Sequence, residues 1–520
     1  MQRLLVPLAL LAVTASASAQ TPDAIEDPAM LQRYQATITP SELAGQLYVY
    51  ADDYLAGRDT GEPGQRFAAK YLAGQYAAMG IAPKGTGTAE NYSLAPYLQE
   101  FALTRTQTVS LSYTATRDGE TVLSGCAPAA EGELVELFPV FGEVQSDDEP
   151  APLMWVGDAS EVDGMDVSGA YVLATVADNN AIQSVSMDLL DRGARGVLLP
   201  ATPAASFLQR MAGDLTRPQL SLGSDEDAMD GAIFLTGLDV AATLMGTKTS
   251  TTEALHAVPL GDTGARLSIT TERETGGVTT ENVLAFIEGS DPDLKDEVVI
   301  LSAHLDHIGT KEEGDDRIHN GADDDGSGTV ALLEIAEAFQ HAVQDGNGPR
   351  RSVLFLHVTG EEKGLFGSAY YADVDPQFPL ENTVANLNID MIGRYDPERG
   401  FETTEYVYII GGGLISQDLH DWNATVNEIS GTSLFLSDRF NSPDDPNQFY
   451  RRSDHWNFGK QGIPFIFYFT GTHEDYHGVG DSADKIDYER LARISRLIFG
   501  TAWHAANTDA RPQVSGTGFD

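Results

Sequence analysis

The sequence predicts an α/β fold in which a mixed, mostly parallel central sheet carries helices on both faces and holds a smaller α/β module as an insertion. Three observations support this. Strand-like and helix-like segments alternate regularly from residue 282 onward. The strand-like runs are apolar throughout, as in strands buried on both faces. Acidic residues and histidines collect directly after these runs, where open α/β sheets bind ligands.

The first part of the main domain is predicted at 40–145. Apolar residues at helical spacing, each series ended by glycine, indicate helices over 41–57 and 64–80. The stretch that follows, up to about residue 145, is expected to be rich in loops. The chain has 520 residues, long enough for a second domain.

The inserted module is predicted at 146–260. A strand at 169–176, a helix at 184–196 and a strand at 196–200 give it a β-α-β order. Its polar side chains form no metal-ligand or nucleophile pattern. The module is expected to shape access to the cleft or to contact substrate, and its sequence does not distinguish these roles.

The second part of the main domain is predicted at 261–508, and 509–520 is expected to be a loose tail. Its strands are predicted at 282–289, 296–304, 351–360, 383–393, 405–413 and 463–471. Its helices are predicted at 328–343, 418–430 and 488–507.

The N-terminus has the pattern of a secretory signal peptide, residues 1–19. Arg3 precedes an apolar run over 4–13, and Ala17-Ser18-Ala19 forms a small-residue cleavage site. The run has about half the roughly 20 residues that span a bilayer. Cys126 is the single cysteine, which excludes an internal disulfide. We therefore expect a bacterial protein of the periplasm or the exterior.

The net charge of −46 excludes two classes of partner. Nucleic acids and anionic membrane surfaces would be repelled by such a field. Metal cations and the ammonium group of a substrate would be attracted. Nothing in the sequence indicates an oligomeric state.

Five segments deliver histidines or carboxylates to the expected carboxyl edge of one sheet. The arrival of such residues from five separate segments at one edge favours a metal site. Two histidines with several carboxylates suit two divalent ions. The segments contain His304, Asp306 and His307; Asp323, Asp324 and Asp325; Glu361 and Glu362; Asp390; and His473, Asp475, His477 and Asp481.

A calcium-binding EF-hand is the alternative interpretation of the aspartate triplet. Counting from Asp323 places a glutamate, Glu334, at position 12 of such a loop. No amphipathic helix can be drawn through the preceding residues, and Glu334 is expected on the solvated face of a helix. The pattern therefore favours an enzyme's ligand loop.

The motifs HLD, GADDDGSG, TGEEKGLFGS, NIDMIG and DYHGVGD together resemble those of the M28 family of zinc peptidases. The resemblance is strong over 280–505 and loose over 40–145. It implies the zinc-exopeptidase fold, of the phosphorylase/hydrolase-like type. The 146–260 module resembles the protease-associated (PA) domain found inserted in such peptidases.

The resemblance implies a role for each matching residue. Asp324 would bridge two zinc ions, and the peptide bond that follows it would be cis. Asp306 would hydrogen-bond His304 and hold its tautomer, and Glu361 would act as the general base. The other zinc ligands implied are His304, Glu362, Asp390 and His477.

Several other residues have a weaker indication of a role at the site. His307 is expected on the opposite strand face from His304, in a supporting or packing role. The segment Ser453-Asp454-His455 resembles a stretch of the family near the site. Arg394, Arg451 and Arg452 are candidates for binding a substrate carboxylate, with surface ion pairs as the alternative.

The function that these features predict is an exported metallo-exopeptidase with two zinc ions per chain. An aminopeptidase acting on peptide substrates is the leading hypothesis. A glutaminyl-cyclase-like enzyme with one zinc, a carboxypeptidase of the same family, and a peptide-binding protein on a peptidase fold remain open. The sequence does not indicate which side chains of the substrate the enzyme prefers.

Overall fold

The computed structural model describes residues 27–88, 93–128, 135–159, 162, 164–176, 182–201, 217–223, 231–442 and 444–516. The predicted signal peptide lies outside these residues. The chain divides into a larger unit, Met1–Phe101 with Thr280–Asp520, and a smaller unit, Ala102–Thr279. Among the described residues, no helix combines the length and the apolarity that a membrane crossing requires.

The described helices, numbered in chain order, are α1 (Pro28–Gln35), α2 (Pro40–Tyr50), α3 (Pro63–Met79), α4 (Ile182–Asp191), α5 (Leu238–Met245), α6 (Thr252–His256), α7 (Gly328–Gln344), α8 (Phe366–Ala369), α9 (Gln417–Ile429), α10 (His455–Gly459) and α11 (Tyr488–Asn507).

The described strands are β1 (Ala82–Pro83), β2 (Leu98–Arg117), β3 (Glu120–Ala127), β4 (Leu137–Glu143), β5 (Ala151–Asp158), β6 (Tyr171–Thr175), β7 (Gly196–Ala201), β8 (Gln219–Leu222), β9 (Gly231–Gly237), β10 (Gly261–Ile287), β11 (Val298–His304), β12 (Ser352–Val358), β13 (Thr383–Ile389), β14 (Tyr406–Ile410), β15 (Phe435–Ser437) and β16 (Phe465–Phe469).

The sheet of the larger unit runs in the order β15-β14-β16-β13-β11-β12-β10. Strand β11 pairs in parallel with β12 and β13, and β13 pairs in parallel with β16. The β10–β12 and β14–β16 pairs are antiparallel. The predicted mixed, mostly parallel sheet is confirmed, and every strand and helix predicted from residue 282 onward is present.

Both faces of this sheet are buried, which explains why its strands are apolar throughout. On β11, Val299 and Leu301 face the core under the long helices, while Val298 and Ile300 join a second core on the other side. Helices α2, α7 and α11 pack on the first side. The short helices α8 and α10, with connecting segments, cover the second.

The first predicted helix ends earlier than expected, at Tyr50. The side chain of Asp52 accepts a hydrogen bond from the Tyr54 backbone and starts a separate turn. Three consecutive residues, Ala56, Gly57 and Arg58, then adopt positive φ angles of 47°, 70° and 50°. The chain reverses here, and the turn carries Arg58 into the interior, where it is 0 % exposed.

The smaller unit contains a sheet in the order β10-β5-β6-β7-β9-β4. The predicted strand, helix and strand at 169–200 are present as β6, α4 and β7. The stretch expected to be loop-rich instead contains β2, β3 and β4. The β2–β3 hairpin turns at Asp118 and Gly119, both with positive φ, as an Asp-Gly turn of this kind requires.

The smaller unit is wider than the module predicted at 146–260. Residues of β2 such as Leu111 and Tyr113, and residues of β10 such as Leu267 and Ile269, share one core with Trp155. Burial of these side chains joins the flanking strands to the unit, although neither strand belongs to its β-α-β pattern.

The described part of the tail, 509–516, is held against the larger unit rather than loose. The backbone N–H groups of Ser515 and Gly516 donate to the Ile415 carbonyl at 2.8 and 3.0 Å. The guanidinium of Arg511 donates to the Thr383 carbonyl at 2.7 Å.

Candidate metal centre

The strand order of the larger unit brings the predicted site residues to one edge of the sheet. Strands β11, β12, β13 and β16 are mutually parallel neighbours, so their carboxyl ends meet at that edge. His304 is the last residue of β11, Asp390 directly follows β13, and the glutamate pair follows β12 after two residues. His477 lies on the loop after β16.

The first group of donors consists of His304, Asp324 and Asp390, and all three side chains are buried. His304 Nε2 lies 3.3 Å from Asp324 Oδ1 and 3.6 Å from Asp390 Oδ1. The second oxygen of Asp390 accepts a hydrogen bond of 2.8 Å from Ser453 Oγ. Asp390 Oδ1 is thereby left facing the group.

The second group uses the other oxygen of the same aspartate. His477 Nε2 lies 3.3 Å from Asp324 Oδ2 and 3.2 Å from Glu362 Oε2. Asp324 therefore presents one carboxylate oxygen to each group. His477 is 41 % exposed, so the second group is the one that opens to solvent.

The donor separations fit two tetrahedral zinc sites. Ligands about 2.0–2.2 Å from zinc stand about 3.3–3.6 Å from one another, from the tetrahedral angle. The four separations above, 3.2–3.6 Å, match this edge. His304 Nε2, Asp324 Oδ2 and Asp390 Oδ1 are also buried without a hydrogen-bond partner, which is costly unless a cation binds there.

His307 lies beside Glu362 rather than away from the site. His307, Asp324 and Glu362 are close enough together to hold an ion. However, His307 Nδ1 is 2.7 Å from Glu362 Oε1, which is a hydrogen-bond length and shorter than the edge of a zinc site. We therefore identify His307 as a hydrogen-bond donor that leaves Oε2 of Glu362 facing His477.

Asp306 supports the site through different atoms than predicted. His304 Nδ1 donates to the backbone carbonyl of Asp306 at 3.1 Å, and the Asp306 carboxylate is 3.9 Å away. That carboxylate is occupied by Thr60 Oγ1 at 2.8 Å and the backbone N–H of Glu361 at 3.2 Å. Since a carbonyl can only accept, Nδ1 carries a proton, and loss of the Nε2 proton would leave that lone pair free for a metal.

Asp325 ties together three segments that carry the donors. Its Oδ2 accepts the backbone N–H of His304 at 3.2 Å. Its Oδ1 accepts the N–H groups of Gly328 at 2.9 Å and Met391 at 3.2 Å. The Asp324–Asp325 peptide bond is cis, as the resemblance implies.

Asp323, which the sequence leaves without a role, also holds backbone. Its Oδ1 accepts the N–H of Gly393 at 2.6 Å, and its Oδ2 lies 3.3 Å from His473 Nε2. The carboxylate of Asp481 accepts the N–H groups of both Asp323 and Asp324 at 3.1 Å. Predicted strand-end residues thus include supports as well as donors.

The EF-hand alternative does not fit this geometry. Two of the three aspartates bind backbone groups instead of converging on one cation. Glu334, the would-be twelfth ligand, is 1 % exposed and accepts a 2.6 Å hydrogen bond from Gln46 Nε2. The expectation that Glu334 lies on a solvated helix face is wrong, because α2 packs over that side of α7.

The histidines set the charge state of the carboxylates they face. Burial alone would raise the pKa of Asp324, but contacts from His304 and His477 outweigh it and hold the pKa well below its usual value. Glu362 behaves alike: burial opposes ionisation, yet His307 and His477 lower its pKa to about 2. Both carboxylates are anionic at neutral pH, as metal ligands must be.

Glu361 differs from its neighbour Glu362. Burial, followed by the charges of Glu362 and Asp390, raises the pKa of Glu361 well above its usual value, although His304 partly opposes this. Its Oε2 is 4.0 Å from His304 Nε2, longer than the edge of a zinc site, and its side chain lines a cavity beside the donors. Glu361 therefore lies beside the two donor groups without being part of either.

The segment Ser453-Asp454-His455 lies near the site, as the resemblance implies, and Ser453 contacts Asp390. Besides the Ser453 contact, Asp454 accepts a 2.5 Å hydrogen bond from Ser368, and burial raises the pKa of Asp454 to about 7. His455 stacks on Phe467 with ring centroids 4.6 Å apart.

Arg58 has a supporting role that the sequence pattern does not indicate. Its Nε donates to the Leu305 carbonyl at 3.1 Å, and its two terminal nitrogens donate to the carbonyls of Asn320 at 2.6 Å and Gly321 at 2.9 Å. It thereby joins the loop after His304 to the loop before Asp324. The available signal was an arginine in a glycine-containing turn, next to a run of apolar residues.

Comparisons with known proteins agree on the family. The model of "Peptidase family M28" matches residues 282–502. A probable zinc metalloprotease of Pyricularia oryzae is 26 % identical over 373 residues, 62 % of this chain and 72 % of that protein. A probable leucine aminopeptidase 2 of Aspergillus oryzae is 30 % identical over 261 residues, 46 % of this chain and 47 % of that protein.

The fold is also that of a solved peptidase structure. The aminopeptidase from Aneurinibacillus sp. strain AM-1 superposes with a TM-score of 0.57 at 18 % identity, covering 94 % of this chain and 97 % of the other. All the donor residues of the metal centre lie within the segment that matches the family model. Residues 282–502 therefore match peptidase family M28, and the fold of the chain is that of a solved aminopeptidase.

Proposed function

We propose that the protein is an exported aminopeptidase that holds two zinc ions and removes N-terminal residues from peptides. One observation carries the two-ion proposal: the two carboxylate oxygens of Asp324 face separate donor groups, 3.3 Å from His304 Nε2 on one side and 3.3 Å from His477 Nε2 on the other.

Each ion has its own set of donors in this proposal. His304, Asp390 and Asp324 Oδ1 would hold one zinc, and His477, Glu362 and Asp324 Oδ2 would hold the other. When bound, the ions would supply Lewis acidity, which makes a water more acidic and polarises the scissile carbonyl. Five predicted residues thus act as ligands, while Asp306 holds the backbone of Glu361.

Glu361 is the proposed general base. Its raised pKa suits a group that accepts a proton from water and then delivers it to the leaving amine. The hydrogen bond from its backbone N–H to Asp306 fixes the start of the side chain beside the donors.

Action at the N-terminus is supported by the named relatives, which include leucine aminopeptidases. The carboxylates that line the cavity, including Glu361 and Asp390, suit the ammonium group of a free N-terminus. Export is supported by the predicted signal peptide. We further propose that the 146–260 module is a PA-type insertion.

Hydrolysis of aminoacyl-p-nitroanilides and of N-acetylated peptides, with zinc measured on the same sample, tests the proposal. An aminopeptidase with two zinc ions cleaves only the substrates with a free amino group. One tightly bound zinc with cyclisation of N-terminal glutamine would establish the cyclase alternative. Cleavage of N-blocked peptides would establish a carboxypeptidase, and binding without turnover a peptide-binding protein.

A further inference from the structure

An unused cation lies at the cavity beside the metal centre. Besides residues of the centre, the cavity is lined by Phe449, Phe467 and Phe469, which are at most 8 % exposed, and by Arg452 and Tyr476. The aromatic side chains form an apolar wall. Arg452 is the permanently cationic residue in the described lining.

Arg452 is held in place without a carboxylate partner among the described residues. Its guanidinium carbon lies 5.0 Å from the centre of the Phe449 ring, and a terminal nitrogen donates to Tyr476 Oη at 3.4 Å. Tyr476 in turn stacks on the donor His477, with ring centroids 3.9 Å apart. Within the described residues, no carboxylate lies within 4 Å of the Arg452 guanidinium, although acidic residues outnumber basic ones 78 to 32.

The other two candidate arginines are accounted for elsewhere. Arg394 is buried and pairs with Asp475 at 3.1 Å and Glu474 at 3.5 Å. Arg451 lies over the rings of Tyr450 and Trp456 and is not part of the cavity lining. The structure therefore distinguishes Arg452 from Arg394 and Arg451, although the sequence made all three candidates for binding a carboxylate.

A guanidinium in this setting is suited to a carboxylate. Its planar N–H groups match the two carboxylate oxygens, and stacking on Phe449 orders the side chain beforehand. The net charge of −46 would disfavour an anionic substrate at long range, but salt screens charges beyond about 10 Å at 0.1 M. Local attraction at Arg452 then decides whether a carboxylate enters.

We infer that Arg452 binds a carboxylate of the substrate and that the enzyme favours peptides that place a carboxylate in this cavity. The inference rests on the proposed aminopeptidase function and adds a substrate class to it. Two carboxylates have this chemistry: the side chain of an acidic N-terminal residue and the C-terminus of a dipeptide.

Matched substrate pairs separate charge from size. Leucylglycine and leucylglycinamide differ in the C-terminal carboxylate, and the p-nitroanilides of glutamate and glutamine differ in the side-chain carboxylate. Arg452→Met should lower the charged-to-neutral ratio of kcat/KM about ten-fold or more in at least one pair, mainly through KM, since a lost hydrogen bond to a charged group has this size. The pair that responds identifies the source of the carboxylate.

Arg451→Met is the matched control and should leave both ratios unchanged. The inference is overturned if Arg452→Met moves neither ratio by more than two-fold, or if it slows the charged and neutral members equally. Calorimetric titration of the zinc-loaded protein with each pair keeps the test independent of turnover. If the wild type hydrolyses none of the four compounds, the proposed function fails, while a preference for the charged member that Arg452→Met removes still supports the binding site.

Discussion

His307 Nδ1 lies 2.7 Å from Glu362 Oε1, while His477 Nε2 lies 3.2 Å from Glu362 Oε2. The two oxygens of one carboxylate therefore have different partners at different distances. The shorter contact is a hydrogen bond and the longer one has the length of a ligand–ligand edge. His307 determines which oxygen of Glu362 is available to an ion.

Replacing His307 with alanine should weaken one zinc site and spare the other. Loss of a hydrogen bond to a ligand costs about 10- to 100-fold in metal affinity. Competition with a chelator should show one tightly bound zinc in the variant and two in the wild type. His341→Ala, on the exposed surface of α7, is the control. Equal weakening of both ions would contradict the assignment.

Glu361→Gln should retain both zinc ions and lose turnover. The amide keeps the size of the side chain but cannot take a proton, and general-base catalysis contributes about 10²- to 10⁴-fold. Steady-state kinetics with zinc analysis on the same sample checks this. Glu337→Gln, a partly exposed glutamate on α7, should change neither quantity. Unchanged turnover of Glu361→Gln would remove the residue from the mechanism.

Arg58→Met should destabilise the larger unit and the metal centre together. The change removes the guanidinium from the carbonyls of Leu305, Asn320 and Gly321. Tyr50 Oη still donates to Leu305 and the Gly326 N–H to Gly321, so among the described residues the Asn320 carbonyl loses its donor, at a cost of about 1–3 kcal/mol. Thermal unfolding and zinc affinity are the measurements. Arg33→Met removes an exposed ion pair with Asp345 and should have little effect. A stable variant with normal zinc affinity would rule out this role.

Ionisation of the Glu334 carboxyl should lower the free energy of unfolding as pH rises. Burial, then the charges of Glu42 and Glu337, raises its pKa to about 8 from an ordinary 4.5. Between these values the folded protein binds the proton and the unfolded chain does not, so the stabilising neutral form is lost as pH approaches 8. Each pKa unit corresponds to about 1.4 kcal/mol.

The Glu334→Gln variant should therefore gain stability relative to the wild type between pH 5 and pH 8, because the amide stays neutral. The melting temperature at both pH values is the readout. Glu337→Gln, on the same helix but partly exposed, serves as the comparison. An identical pH profile for Glu334→Gln and the wild type would show that Glu334 does not titrate in this range.

Zinc removal should lower the melting temperature. Without cations, the carboxylates of Asp324, Asp390 and Glu362 lie close together with no counter-charge beyond the histidines. A ligand at 100 times its dissociation constant stabilises by about 2.7 kcal/mol. Scans with chelator and with zinc restored measure the shift. A His304→Ala/His477→Ala double variant should lose this dependence on zinc, and an unshifted wild type would argue against ion binding.

The sequence by itself determined the sheet and the donor types. Long apolar runs require burial on both faces, and the HLD, DDD, EE and NID motifs directly after them place histidines and carboxylates at one edge. The HLD, EE and NID motifs adjoin their strands in the chain, and the DDD motif follows the first of them through a glycine-rich connection. They could therefore be predicted, as could the position of helix α11 to the residue.

Only the tertiary structure decided which atoms face one another. The carbonyls that Arg58 binds lie 247 to 263 residues further along the chain, and no local pattern encodes such a contact. Asp306 uses its backbone oxygen for His304 because Thr60, from a distant turn, occupies its carboxylate. Among three similar arginines, Arg452 alone lines the described cavity, because packing directs each side chain to different neighbours.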